Sequence, residues 1–281
     1  MPPVSGVQHP GSPTWSDAAP LHEAPELRAA ATSESDSASP ELTILVPCLD
    51  EEDNVHITLD HIGRVLREHD IDDFEILVLD DASSDRTFAR SIAYAETHPE
   101  LHVRASRRHE PRRGYGAIVR HGLAHSRGTY CVPVSGDGVD PVELIPEMLA
   151  RAREGFDLVQ CSRYHDPDHA RTIPWSYKSL QYCWRFAIRL ITGRRFPDST
   201  YAFKLVRRAD ALARGITSNG FSIGAELFFK TYLADGRIAY VTSPQGTRRH
   251  GRSKFRFSRE SFGFAYVLLR VLLHRTGILW F

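Results

Sequence analysis

Residues 42–54 read Leu-Thr-Ile-Leu-Val-Pro-Cys-Leu-Asp-Glu-Glu-Asp-Asn, an apolar run that stops at four consecutive acids. A strand with one wet face would alternate apolar and polar residues. A strand buried on both faces does not, and a continuous run of this kind is the mark of a parallel sheet covered by helices. The same design returns in FEILVLDD (74–81), TYCVPVSGD (129–137) and FDLVQCSR (156–163), each run ending in acidic or polar residues. Between them, VHITLDHIGRVLREH (55–69) and RTFARSIAYAETH (86–98) carry apolar residues at helical spacing, and SSDRT opens the second with Ser/Asp capping chemistry. The first two-thirds of the chain therefore read as βαβαβ, an open, mostly parallel α/β sheet with helices on both faces.

Ligands of such sheets sit beyond the carboxyl ends of the strands. Those ends are Asp50-Glu51-Glu52, Asp80-Asp81, Asp137 and Ser162-Arg163. Acids gathered at one edge repel one another, and a bound cation or hydrogen bonds relieve that repulsion. In VSGDGVDPVEL (134–144), Asp137 and Asp140 lie among glycines. Two readings stand: a loop that holds a cation against a phosphate, or a plain turn in which Asp140 caps a helix starting at Pro141.

Several chemistries are excluded. The position after the first strand reads Pro47-Cys48-Leu49-Asp50, not GxGxxG, and no GxxxxGK[ST] loop exists, which removes dinucleotide and P-loop binding. The fourteen histidines include no HExxH motif, and Cys48, Cys131, Cys161 and Cys183 form no CxxC pair. The cysteines read as free thiols of a reducing cytoplasm.

The 281 residues, 42% hydrophobic, suffice for one large domain with appendages. Residues 1–40, rich in Pro, Ser and Ala without hydrophobic period, read as a disordered tail; they lack the basic start and apolar core of a secretory signal. Net charge is zero but uneven: residues 1–170 hold 15 Lys and Arg against 30 Asp and Glu, and residues 171–281 hold 20 against 5. The acidic part suits divalent cations and sugar hydroxyls, the basic part phosphates or an anionic membrane surface. Nucleic acid is not an expected partner.

The carboxyl end, SRESFGFAYVLLRVLLHRTGILWF (258–281), reads as an amphipathic helix in which Arg259, Tyr266, Arg270 and His274 share a stripe. A basic stripe on an apolar helix suits the plane of lipid headgroups. Packing on the protein's own core, or against a second copy, is the alternative. SYKSLQYCWRFAIRLITG (176–193) has the same character, and two such helices favour a peripheral protein.

The motifs, in order, resemble a family. VPCLDEEDNV is similar to the opening of family-2 glycosyltransferases, VLDDASSDRT to their VDDxSxDxT, and RGYGAIVRHGLAHSRGTY to their glycine segment. GDGVDPVELIPEML, CSRY, DSTYAFKLVRR and RRHGRSKF continue the likeness, the last resembling the RxxGxSK segment of polyprenyl-phosphate (dolichol-phosphate) mannosyltransferases. The resemblance spans residues 42–256 and implies a GT-A fold, residues 41–257, that binds a nucleotide-diphosphate sugar. It places Pro47, Leu49 and Glu51 on the nucleotide pocket, with Asp80 reading the base or ribose and Val78 beside it. It sets Ser135, Gly136 and Asp137 on the segment that holds the diphosphate through Mg²⁺ or Mn²⁺. Arg163, Arg248 and Lys254 fall where phosphate contacts are expected, and Lys178 joins them through a looser alignment. The family reads DxD where this chain has Ser135-Gly136-Asp137, so one expected acid is a serine; Asp140 is the substitute that could move in.

The implied activity is transfer of a sugar, most often mannose from GDP-mannose, to a polyprenyl phosphate on the inner face of the membrane, with inversion. A saccharide or small-molecule acceptor is the alternative and would need a carboxylate base, for which Asp198 and Glu226 are candidates; a non-catalytic nucleotide-sugar-binding protein is another. Asp85 is the expected cap of the helix after Asp80-Asp81. Arg107 and Arg108 read as solvated loop charges, and Glu226 as either a snorkelling surface residue or a member of the acceptor cleft.

Overall fold

The computed structural model describes residues 27–29, 39–109, 114–162, 175–242, 257–279 and 281. Its first half comprises β1 (Leu27–Ala29), β2 (Leu42–Cys48), α1 (Val55–Glu68), β3 (Phe74–Asp80), α2 (Thr87–Thr97), β4 (Val103–Arg107), α3 (Tyr115–His125) and β5 (Tyr130–Pro133), of which β2, β3 and β5 follow the apolar runs and β1 and β4 were not read from the sequence. Then come α4 (Ile145–Arg153), β6 (Leu158–Ser162), α5 (Trp175–Thr192), β7 (Lys204–Arg207), α6 (Arg208–Ala213), α7 (Ile223–Leu233), β8 (Ile238–Thr242) and α8 (Phe257–Arg275).

The strands form one sheet in the order β1-β4-β3-β2-β5-β7-β6-β8. Pairings β2–β3, β3–β4, β2–β5 and β6–β8 are parallel; β7 runs antiparallel to both β5 and β6, and β1 antiparallel to β4. Three residues of the stretch read as a tail thus add a short edge strand.

Alternation within the buried strands serves two cores. Ile44, Val46, Ile76 and Val78 face α1, with Leu59, Ile62 and Leu66, while Leu45, Leu77 and Leu79 face α3, with Ile118 and Leu123. The second core continues under Trp184, Phe228, Phe229, Val267 and Val271 of α5, α7 and α8. Two apolar faces, one per residue parity, are why these runs carry no alternation.

After β4 the chain crosses back under α3 and adds β5 on the other flank of β2. Strand order reverses there, so the crevice beyond β2, β3 and β5 is where this topology opens a binding site.

Candidate donor site

Three loops meet at that crevice. The loop after β2 is tied to the loop after β3: Asp50 N–H donates to Ser83 Oγ at 2.9 Å, Glu51 N–H to Thr87 Oγ1 at 2.8 Å and Glu52 N–H to Asp85 Oδ2 at 3.1 Å. In return Asp50 Oδ1 accepts from Ser84 N–H at 2.8 Å and Glu52 Oε2 from Arg86 N–H at 3.2 Å. The crowd of acids is therefore relieved largely from within. The N-cap of α2 is Arg86 and not Asp85, which stands one residue earlier and accepts from Thr87 N–H at 2.9 Å.

Pro47 and Val78 are buried in their strands, and Leu49 and Glu51 are half-buried at the rim. Glu51 Oε2 accepts from Asn54 Nδ2 at 2.8 Å. Asp80, fully buried, accepts from Ser83 N–H and pairs with Arg107 Nε at 3.0 Å. Burial raises its pKa above the usual carboxylate value, against the pull of Ser83 and Arg107. Asp81 binds Arg108, whose Nε donates at 3.0 Å, and accepts the Gly114 N–H at 3.0 Å. Arg108 is only 3% exposed, so Arg107 and Arg108 are not solvated loop charges. Parallel pairing puts Arg107 directly beside Asp80, a register that composition does not reveal.

The third loop, 134–140, packs against the first. Gly136 N–H donates to the Pro47 carbonyl at 3.2 Å and Thr58 Oγ1 donates to the Gly136 carbonyl at 3.0 Å. A Cβ at Gly136 would lie 2.5 Å from Cys48 Sγ, so only glycine fits. Gly138, at φ +69°, turns the chain in the left-handed region.

The two acids of this loop part company. Asp140 Oδ2 accepts from Ser135 N–H and Oδ1 from Tyr201 Oη, both at 2.7 Å. Its side chain reaches back to close the loop rather than capping a following helix, each carboxylate oxygen accepting from one protein donor. Asp137, 8% exposed, stands on the wall of a cleft with Asn54, Ile57, Thr58, His61 and Gly138, and accepts the Val139 N–H at 3.3 Å.

Among the described residues no three His, Cys, Asp or Glu side chains converge on one point. A single carboxylate still suits a hard cation that takes its remaining ligands from water and substrate phosphates, and Asp137 at a cleft wall fits that donor set. Arg163, Arg248 and Lys254 lie outside the described residues, as does the side chain of Lys178 on α5.

Residues that the sequence left open now have places. Glu226 is neither a surface residue nor an open base: it is 1% exposed and accepts from Thr217 N–H, Thr217 Oγ1 and Ser218 N–H at 2.7–3.1 Å. Lys230 Nζ stands 3.4 Å and Arg270 Nη1 3.9 Å from it. Asp198, 1% exposed, binds the turn that follows through Thr200 and Tyr201 N–H.

On α8, Arg270 turns inward, donating to Thr217 Oγ1 at 3.0 Å, and His274 Nδ1 accepts the Phe281 N–H at 3.0 Å. Arg270 and His274 therefore do not form an outward basic stripe. The outward face is apolar: Phe262, Tyr266, Leu269 and Leu272 on α8, and Tyr182, Phe186 and Leu190 on the neighbouring α5. No helix among the described residues is long and apolar enough to cross a membrane.

A family model described as glycosyl transferase family 2 matches residues 43–212. A dolichyl-phosphate beta-glucosyltransferase of Dictyostelium discoideum is 27% identical over 180 residues, covering 60% of this chain and 55% of that protein. A dolichol-phosphate mannosyltransferase of Pyrococcus furiosus is 24% identical over 221 residues, covering 76% and 59%. The chain thus spans less than two-thirds of the length of these relatives. Among solved structures, glucosyl-3-phosphoglycerate synthase from Mycobacterium tuberculosis, in complex with Mn²⁺, UDP and glucosyl-3-phosphoglycerate, superposes with a TM-score of 0.58 at 22% identity, covering 86% of this chain and 81% of that one. A mannosyltransferase from Pyrobaculum calidifontis, in complex with GDP-Man and Mn²⁺, gives 0.53 at 19%, covering 86% and 74%. These likenesses establish the shared fold.

Proposed function

The chain belongs to glycosyl transferase family 2, and we propose that it moves one hexose from a nucleotide-diphosphate sugar to a polyprenyl phosphate, with inversion, at the inner surface of a membrane. The observation that carries this reading is the pairing of strand-end acids at the switch point, Asp80 and Asp137, with exposed apolar side chains on α5 and α8. A lipid-borne acceptor needs both. The dolichyl-phosphate relatives, glucosyl and mannosyl, support the acceptor class, and neighbours solved with UDP-Glc and with GDP-Man make those the donors to test first.

A phosphate acceptor is already ionised near neutral pH, so the site needs no strong base. It must align the reactants and neutralise the departing diphosphate. Asp137 is the residue to hold a divalent cation, which would supply charge to the leaving oxygen. Asp80, with Arg107 beside it, fits the nucleoside end of the donor, and Pro47, Leu49, Glu51 and Val78 its walls. Arg163, Lys178, Arg248 and Lys254 are the proposed cationic partners of phosphate oxygens, a task suited to fixed donors.

A thermal-shift screen of GDP-, UDP- and dTDP-sugars with Mg²⁺ or Mn²⁺ tests the donor half. Stabilisation by one nucleotide series, enhanced by the cation, is expected. A flat response to all of them would remove the reading.

A further inference from the structure

We propose that Glu260, on the carboxyl-terminal helix α8, is a positioning residue for donor binding: through Phe221 and Tyr115 it sets the loop that carries Asp137. The inference rests on the donor reading above, and it concerns a part of the chain beyond the residues that the family model matches.

An acid in the first turn of a helix commonly serves the free N–H groups of its own helix end. Glu260, in the first turn of α8, turns instead to the segment ahead of α7, where its Oε2 accepts the Phe221 N–H at 2.8 Å. The approach is close. A Cβ at Gly220 would lie 2.4 Å from Glu260 Oε2, and a Cβ at Gly263, one turn along α8, would lie 2.7 Å from Ser222 Oγ. Further on, Arg270 donates to Thr217 Oγ1 at 3.0 Å. Helix α8 is therefore laid along residues 217–222, and two glycines make room for it.

That segment in turn holds the start of α3. The Phe221 ring stacks on Tyr115 with centroids 4.7 Å apart and planes 9° from parallel. The Asn219 carbonyl accepts Gly116 and Ala117 N–H at 2.8 and 3.2 Å, and Arg120 donates to Asn219 Oδ1 at 2.7 Å. Gly114, the N-cap of α3, has no side chain to accept these N–H groups, so a distant segment supplies the acceptor.

From α3 the contacts pass to two donor-site loops. Gly114 N–H donates to Asp81 Oδ2 at 3.0 Å, next to Asp80. The Tyr115 hydroxyl has the Ser135 side chain as its hydrogen-bond neighbour, two residues before Asp137. Glu260 thus reaches the loop of residues 134–140 in three contacts: a hydrogen bond to the main chain, a ring stack and a hydroxyl pair. Close-packed groups transmit displacement, and a binding site needs its members held to within about 0.5 Å. A Phe221 that shifts takes Tyr115 with it and leaves the loop of Asp137 without that support.

The test is calorimetric binding of UDP and of GDP, each with Mg²⁺, to the full wild-type chain and to four variants. Glu260→Ala removes the acceptor, Glu260→Gln keeps an oxygen that accepts from the Phe221 N–H, and Phe221→Leu keeps the main-chain bond but removes the stack. Val271→Ala loosens the same helix at a buried position about three turns away, and so reports lost stability alone. On the nucleotide that the wild type binds, Glu260→Ala and Phe221→Leu should each weaken affinity about tenfold, Glu260→Gln by less than about twofold, and Val271→Ala should leave it unchanged while melting lower. Unchanged affinity in Glu260→Ala, or equal weakening in Glu260→Gln or in Val271→Ala, would overturn the role of Glu260 and leave the donor reading in place. If Glu260→Ala does not fold, Phe221→Leu decides, and unchanged affinity there overturns the relay. Failure of the wild type to bind either nucleotide would overturn the donor reading and this inference together.

Discussion

Asp137 and Asp140 stand three residues apart in one loop, and their surroundings give them different work. Asp140 holds the loop shut through Ser135 and Tyr201, whereas Asp137 faces the cleft. Asp137→Asn should therefore leave the melting temperature within a degree or two while lowering turnover on the order of 100-fold, in line with loss of a group that supports leaving-group charge. Asp140→Ala should do the reverse at the level of the fold, costing about 1–2 kcal/mol because two partly buried donors lose their acceptor. Denaturation and steady-state rates on both variants check the contrast; equal effects would mean the loop acts as one unit.

A second residue-scale prediction concerns Lys204, fully buried on β7, with Nζ donating to the Gly224 carbonyl and lying 3.5 Å from the Ser199 carbonyl. Burial lowers its pKa to about 7, opposed by Asp198. Between that value and its ordinary pKa near 10.5, the unfolded chain binds a proton that the folded chain does not, so this group's contribution to stability rises with pH across the window and is flat below it. Relative to Lys204→Met, the wild type should gain stability from pH 7 to 10, with a limiting slope of about 1.4 kcal/mol per pH unit. A pH-independent difference, measured by urea denaturation, would show that the lysine is charged throughout.

At the scale of elements, the apolar runs were enough to place β2, β3, β5 and β6 and the helices α1 and α2, because strands buried on both faces and amphipathic helices differ in period; β4, five residues long, was not read. Other features had no local signal. β7 is four residues long, carries the buried Lys204, and owes its antiparallel place between β5 and β6 to pairing with distant partners. The ion pairs of Arg107 and Arg108 follow from strand register, and the inward turn of Arg270 follows from the position of Glu226 and Thr217 on another element. Asp80 and Asp137 were legible as acids at strand ends; the drawing of Asp140 back into its own loop was not, since Tyr201, which holds it, belongs to a distant segment.

The outward face of α5 and α8 makes the element-scale prediction. Phe186, Leu190, Phe262 and Leu269 are 50–79% exposed, and Arg189 and Arg275 are exposed on the same two helices. Apolar side chains rimmed by arginines fit an anionic bilayer surface. Phe186→Ser with Phe262→Ser should lower co-sedimentation with phosphatidylglycerol vesicles several-fold and spare transfer to a short, water-soluble prenyl phosphate. If the pair instead converts a dimer to a monomer in light scattering and leaves vesicle binding unchanged, the face joins two copies of the chain.

For the molecule as a whole, charge and topology divide along the same line. The acidic residues 1–170 supply the strand ends of the crevice, and the basic residues 171–281 supply the two helices with the exposed face and the cationic segments around residues 248–254. A donor with a diphosphate and an acceptor anchored in lipid would meet where these halves join. The most direct measurement of that claim supplies the chain with radiolabelled GDP-mannose or UDP-glucose and Mg²⁺ or Mn²⁺, offers polyprenyl phosphate in vesicles and 3-phosphoglycerate in solution, and partitions the products between organic and aqueous phases. The account predicts label in the organic phase as an acid-labile lipid phosphate sugar, lost on Asp137→Asn. Label carried only by the water-soluble phosphoglycerate, or organic label that persists in the variant, would contradict it.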